Sequence, residues 1–178
     1  MAATPEQRAQ ITTLRRKGPY AVDVPELGPV IIRDQKPLSE RGLTAALGGC
    51  MTNAAWVQLL NERVFFWTAP RHADQLINAR EYRKSPGLLL QINTAPFVDA
   101  YKEQIELTEF NTGYALRKPR PRSRSSFASI SEYPTGPIGG IKELTVLNGV
   151  PTLASYVHSV RQWNTDDEPA YLYQSAGV

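Results

Sequence analysis

The stretch Ile141-Lys142-Glu143-Leu144-Thr145-Val146-Leu147 alternates with the period of a β-strand and carries a carboxylate among apolar and small neighbours. An acid pointing inward from a strand needs partners and costs desolvation. Glu143 therefore either faces water on the outer side of a sheet, or lies in a cleft where it accepts a hydrogen bond or takes a proton. Spacing alone leaves these two readings even.

Outward from this strand the chain alternates short helices and short strands. Upstream, residues 111–140 are dominated by breakers, among them Gly113, Pro119, Pro121, Pro134 and Gly136. Downstream, Val150-Pro151 opens an expected helix with Leu153, Tyr156, Val157, Val160 and Trp163 inward and His158 toward the surface. Further strands are expected at Val30-Ile31-Ile32, at Val64-Phe65-Phe66-Trp67 as a central strand, at Leu88 to Ile92, and around Ile105-Glu106-Leu107. Thr4 and Thr52 are candidate helix caps, and Gly48-Gly49 is a helix stop. A helix capped by Thr52 would bury Trp56, Leu59, Leu60 and Val64; one after Pro70 would bury Ala73, Leu76 and Ile77, and another covers 97–101. No internal repeat is present. The pattern is α+β: one domain over 1–163, followed by a loose tail over 164–178.

Composition removes several classes of function. Hydrophobic content of 42% with 21% charged residues is that of a folding domain, and no apolar run approaches the roughly 20 residues of a membrane span. The first residues lack a basic-then-apolar leader, so the expected compartment is the cytoplasm. One cysteine, Cys50, excludes an intrachain disulfide, and with only His72 and His158 beside it no metal site is expected. Neither a Walker loop nor a G-x-G-x-x-G run occurs.

The charge is uneven. The segment Arg117-Lys118-Pro119-Arg120-Pro121-Arg122-Ser123-Arg124 holds five cations and no acid; without it the chain has 15 basic and 17 acidic residues, a balance of −2 instead of +3. Together with Phe127 this loop either grips the phosphates of DNA or RNA, with the ring free to stack on a base, or is a solvated charge run. Arg33 and Arg71, each just beyond a strand, suit phosphate or carboxylate if they line a cleft, and surface ion pairs if they do not.

Several segments in order carry a family resemblance: Val30-Ile31-Ile32-Arg33-Asp34-Gln35-Lys36-Pro37-Leu38, Leu60-Asn61-Glu62-Arg63-Val64-Phe65-Phe66-Trp67, Asn111-Thr112-Gly113, Phe127 with Tyr133-Pro134, and Lys142-Glu143-Leu144-Thr145-Val146 with Gly149-Val150-Pro151. Over roughly residues 5–160 they resemble an uncharacterised bacterial domain family similar to DarT-like ADP-ribosyltransferases, toxins that modify DNA bases using NAD. The resemblance implies an ADP-ribosyltransferase-like core of mixed, mostly antiparallel sheet with short helices around it. It implies NAD as substrate, no metal, and Glu143 as the catalytic glutamate. Arg71, with Arg33, would hold NAD; Arg117, Lys118, Arg120, Arg122, Arg124 and Phe127 would meet the nucleic acid acceptor. A toxin or phage-defence setting with an antitoxin or partner protein goes with that reading. The resemblance departs at the start, where such chains carry a histidine segment that nothing ahead of Thr4 matches. The alternative is a non-enzymatic nucleic-acid-binding or interaction module on a degenerate version of the same fold.

Overall fold

Capping chemistry places the helices. The Ser39 hydroxyl accepts the Gly42 amide at 3.2 Å to start α2 (Glu40–Leu47), and Gly48, left-handed at φ 54°, closes it by donating to the Thr44 carbonyl. Thr52 accepts the Ala55 amide at 3.1 Å and starts α3 (Asn53–Asn61), as its sequence position suggests. The computed structural model describes residues 5–24, 28–79, 82, 87–117, 119–133, 140–163 and 170–175. The expected cap Thr4 and the loop cation Lys118 lie outside them. The other helices are α1 (Pro5–Thr12), α4 (Pro70–Ile77), which uses Pro70 in its first turn, and α5 (Thr94–Tyr101).

The strands form three antiparallel sheets. β1 (Tyr20–Val24) pairs with β2 (Gly28–Ile32). A four-stranded sheet runs β3 (Arg63–Trp67), β7 (Glu143–Leu147), β5 (Ile105–Thr108), β6 (Ala128–Ser129). A three-stranded sheet runs β4 (Gly87–Ile92), β8 (Val157–Trp163), β9 (Ala170–Gln174). The fold is thus mixed α+β with antiparallel sheets.

Three expectations are corrected. The Val64-to-Trp67 strand is at an edge, and β7 is inside. The helix expected from Val150 is only a 3₁₀ turn at Leu153–Tyr156, after which the chain extends as β8. Val157, Val160 and Trp163 fit a helical stripe, but pairing with the whole length of β4 favours the extended form that β-branched residues prefer. The tail, expected to be loose, supplies β9, whose residues pair with β8 from Ser159 to Gln162; residues 164–169 and 176–178 lie outside the described set.

The inner strands β7 and β5 are covered on both faces, while Phe65 on the edge strand β3 is exposed, and the two faces differ in chemistry. Opposed residues of antiparallel strands share a face. One face presents Leu144, Val146, Ile105, Leu107 and Phe66, packed with Phe97 and Tyr101 of α5. The opposite face presents Glu143 and Thr145 from β7, Glu106 and Thr108 from β5, and Arg63 from β3, all of them buried. Over this polar face lies a second apolar cluster of Leu38, Leu43, Leu47, Trp56, Val57, Leu60, Ala115 and Phe127. A two-faced burial of this kind demands that each polar group find a partner, and those partnerships build the site. Among the described residues no helix is long and apolar enough to cross a membrane.

Candidate active site

Glu143 opens β7, opposite Trp67 of β3 and Thr108 of β5. It is 3% exposed, which removes the outward-facing reading. Its Oε2 accepts two hydrogen bonds from Thr112, from the amide at 3.1 Å and from the hydroxyl at 2.8 Å. Its Oε1 accepts none from a described residue. Burial pushes the carboxyl up to about 7, against the opposing pull of the Thr112 donors and of the Lys142 and Arg122 charges. The side chain is therefore held by one oxygen and poised to exchange a proton near neutrality.

Beside Lys142, a cation from the basic loop, Arg122, acts on Glu143. Arg122 is 3% exposed, with its guanidinium over the rings of Trp56 and Phe110 at 5.6 and 5.5 Å. Its Nη2 donates to the Asn111 carbonyl at 3.2 Å and to the Tyr114 carbonyl, and its Nε and Nη1 are buried without a hydrogen-bond partner. No carboxylate of a described residue pairs with it. Desolvation lowers its affinity for the proton, with Glu143 acting the other way.

A second buried acid lies on the same face. Glu106 accepts from Arg63 Nε at 2.9 Å and Nη2 at 2.5 Å on one oxygen, and from Arg124 at 2.6 Å on the other. The Arg63 guanidinium stacks on Phe127 at 4.3 Å. Sequence reasoning passed over Glu106, Arg63 and Thr112 as site residues. The signal for Glu106 was available: it stands between Ile105 and Leu107 just as Glu143 stands in its own apolar strand.

The basic loop is divided by this geometry. Arg122 turns inward and Phe127, 4% exposed, is part of the core, so neither is free to contact a nucleic acid; burying the ring against Trp56 and Arg63 is what removes it from stacking duty. Arg120 and Arg124 remain half-exposed although they pair with Glu109 and Glu106, and Arg117 is exposed. Arg71 is exposed in the first turn of α4, next to His72, whose ring lies 6.1 Å from that of Trp67. His72 is buried with Nδ1 unpartnered, and burial together with the Lys142 and Arg71 charges lowers its pKa. Trp67 thus bridges the α4 start to the Glu143 face, and no direct Arg71–Glu143 contact is formed. Arg33 stacks on Tyr82 at 4.2 Å at the end of β2, and no described contact brings it to Glu143.

His158 bonds Ser175 on the small sheet, and Cys50 donates to the Arg122 carbonyl. The described residues contain no group of three or more His, Cys, Asp or Glu side chains suited to a metal ion. A shallow hollow of about 600 Å³ beside the end of α2 is lined by Gly48, Cys50, Pro121, Arg122 and Ser126 but not by Glu143.

Fold and site together define an α+β protein with a buried glutamate, its pKa raised to about 7, on the polar face of an antiparallel sheet. Residues 1–157 match DUF7002, a family of unknown function, and the chain belongs to it. No curated protein and no solved structure matches the chain.

Proposed function

We propose that this protein is an NAD-dependent ADP-ribosyltransferase on an ADP-ribosyltransferase-like core, acting on a nucleic acid base. The observation that carries the reading is the Glu143 carboxyl: fixed through Oε2 by Thr112, with no described residue bonded to Oε1 and a pKa of about 7. A general base works best when its pKa is near the operating pH. The family resemblance of the segments around Glu143 supports the same reading.

In this mechanism the bond between the nicotinamide nitrogen and ribose C1′ breaks, and nicotinamide leaves neutral. Positive charge develops on the ribose as an oxocarbenium-like transition state. A base nitrogen attacks C1′, and its proton passes to Oε1 of Glu143. Arg71, at the exposed start of α4, pairs with the NAD diphosphate, a role suited to its guanidinium fork. Arg117, Arg120 and Arg124 attract the acceptor strand, exchanging Glu109 and Glu106 for phosphates.

One observation favours a rival. With Glu143 only 3% exposed beneath Thr112 and Arg122, the chain would serve as a non-enzymatic nucleic-acid-binding module if that cover never opened. The two are separated by incubating labelled NAD with single- and double-stranded oligonucleotides, beside Glu143→Ala. Label transfer that disappears in the variant supports the transferase. Oligonucleotide binding without transfer to any acceptor refutes it and leaves the module. Neutralising Arg117, Arg120 and Arg124 removes about 0.9 from the slope of log K against log salt for each duplex phosphate that no longer meets a cation.

A further inference from the structure

We propose that Arg122 is the positioning residue of this site: its buried guanidinium shapes the turn at 111–114, and through Thr112 that turn fixes the orientation and ionisation of Glu143. The proposal deepens the transferase reading and rests on it for its catalytic meaning. It also reassigns an arginine whose place in a cationic loop suggested a phosphate contact.

The chain of contacts is continuous. Arg122 Nη2 reaches two carbonyls of one turn, Asn111 at 3.2 Å and Tyr114. Between those carbonyls stands Thr112, fully buried, which donates both its amide and its hydroxyl to Glu143 Oε2. A turn with no helix or sheet around it would let that threonine wander, and the guanidinium tying its two ends prevents this. Arg122 is in turn fixed by its own amide bonded to the Ala46 carbonyl at 2.8 Å and by the Trp56 and Phe110 rings.

A merely structural arginine would be expected to have a carboxylate partner at this depth, since a buried cation left unpaired is costly. Arg122 has none among the described residues, and two of its nitrogens are unpartnered. It acts on Glu143 through its charge, with no ion pair between the two.

The other groups facing Glu143 do not replace Arg122. Lys142, just ahead of β7, adds its charge but no bond to the 111–114 turn; Thr108 and Trp67 lie opposite on β5 and β3. Glu106 lies two residue pairs along, opposite Thr145, and is taken up by Arg63 and Arg124. His72 and Arg71 lie beyond Trp67.

The test is a carbon-13 titration of the Glu143 carboxyl in the full chain without NAD, assigned by comparison with Glu143→Gln, in wild type, Arg122→Gln and Arg122→Lys. Arg122→Gln raises the midpoint, because it removes a charge that favours the carboxylate and loosens the Thr112 donors that hold the carboxyl down. Thr112 amide exchange speeds at least about tenfold as the turn loosens. Arg122→Lys, whose single ammonium can serve both carbonyls and keeps the charge, restores the wild-type midpoint. In an active protein the acid limb of kcat/KM against pH moves with the carboxyl in each variant. An unchanged Glu143 midpoint in folded Arg122→Gln overturns the proposal.

If Arg122→Gln does not fold, wild type carries the test. The Arg122 guanidinium nitrogen signals and the Thr112 amide then shift with a midpoint of about 7, and not in Glu143→Gln; an Arg122 signal flat through that range overturns the proposal. These readouts need no turnover, so coupling observed without nicotinamide release refutes the transferase reading alone.

Discussion

Replacing Glu143 by glutamine should reverse its effect on stability across the neutral range. Folding raises this carboxyl from 4.5 to about 7. The protonated form is favoured in the folded state, so its contribution to stability is complete below about pH 4.5 and lost as pH rises through about 7. A gap of about 2.5 at 1.36 kcal/mol per pH unit makes that loss about 3 kcal/mol. Glutamine keeps a carbonyl oxygen for the two Thr112 donors, at 3.1 and 2.8 Å, but buries an NH₂ with no acceptor among the described residues, which costs about 1–2 kcal/mol. Glu143→Gln should therefore be less stable than wild type by about 1–2 kcal/mol in acid and more stable by a similar amount near pH 8, crossing between. Urea unfolding followed by tryptophan fluorescence over that range measures the difference directly. A difference that stays constant with pH, or that moves in favour of wild type as pH rises, refutes the reasoning about burial.

Two further substitutions test the layer above the polar face. Gly42→Ala should destabilise by about 3 kcal/mol or more in urea unfolding, although alanine is the better helix former by about 1 kcal/mol, because the added methyl would overlap the Ala115 carbonyl where the loop crosses α2. A stabilised variant would mean that the loop does not rest on that helix. Glu106→Gln should cost about 3–5 kcal/mol by leaving the buried Arg63 guanidinium without its counterion. Combining it with Arg63→Met should recover much of the loss, and strict additivity in the double-mutant cycle would contradict the pairing.

The parts of the fold legible in the sequence are those specified by a few adjacent residues. The Thr52 cap, the Gly48 stop and the Trp56–Leu60 spacing mark the end of α2 and the start of α3 locally, and the alternation around Glu143 marks β7. Elements specified only by pairing were not legible. Tyr171, Leu172 and Tyr173 are all exposed and carry no burial pattern, so β9 exists because β8 offers it an edge. The site divides in the same way. Glu143 stood out as an acid in an apolar strand, but its covering partners come from 31 and 21 residues upstream, through Thr112 and Arg122. The charge run concealed Arg122 because composition counts a cation without saying which way it turns. Phe127 was misread for the same reason: beside arginines it looked like a platform, and packing against Trp56 made it core.

The most direct test of the central claim is release of nicotinamide from NAD in the presence of an oligonucleotide acceptor, followed across pH by chromatography. The account predicts release that rises with pH about a midpoint near 7, as the Glu143 carboxylate forms, and that is abolished in Glu143→Gln although the variant remains folded and binds the oligonucleotide. Release that persists undiminished in Glu143→Gln, or none from wild type with any acceptor at any pH, would contradict it.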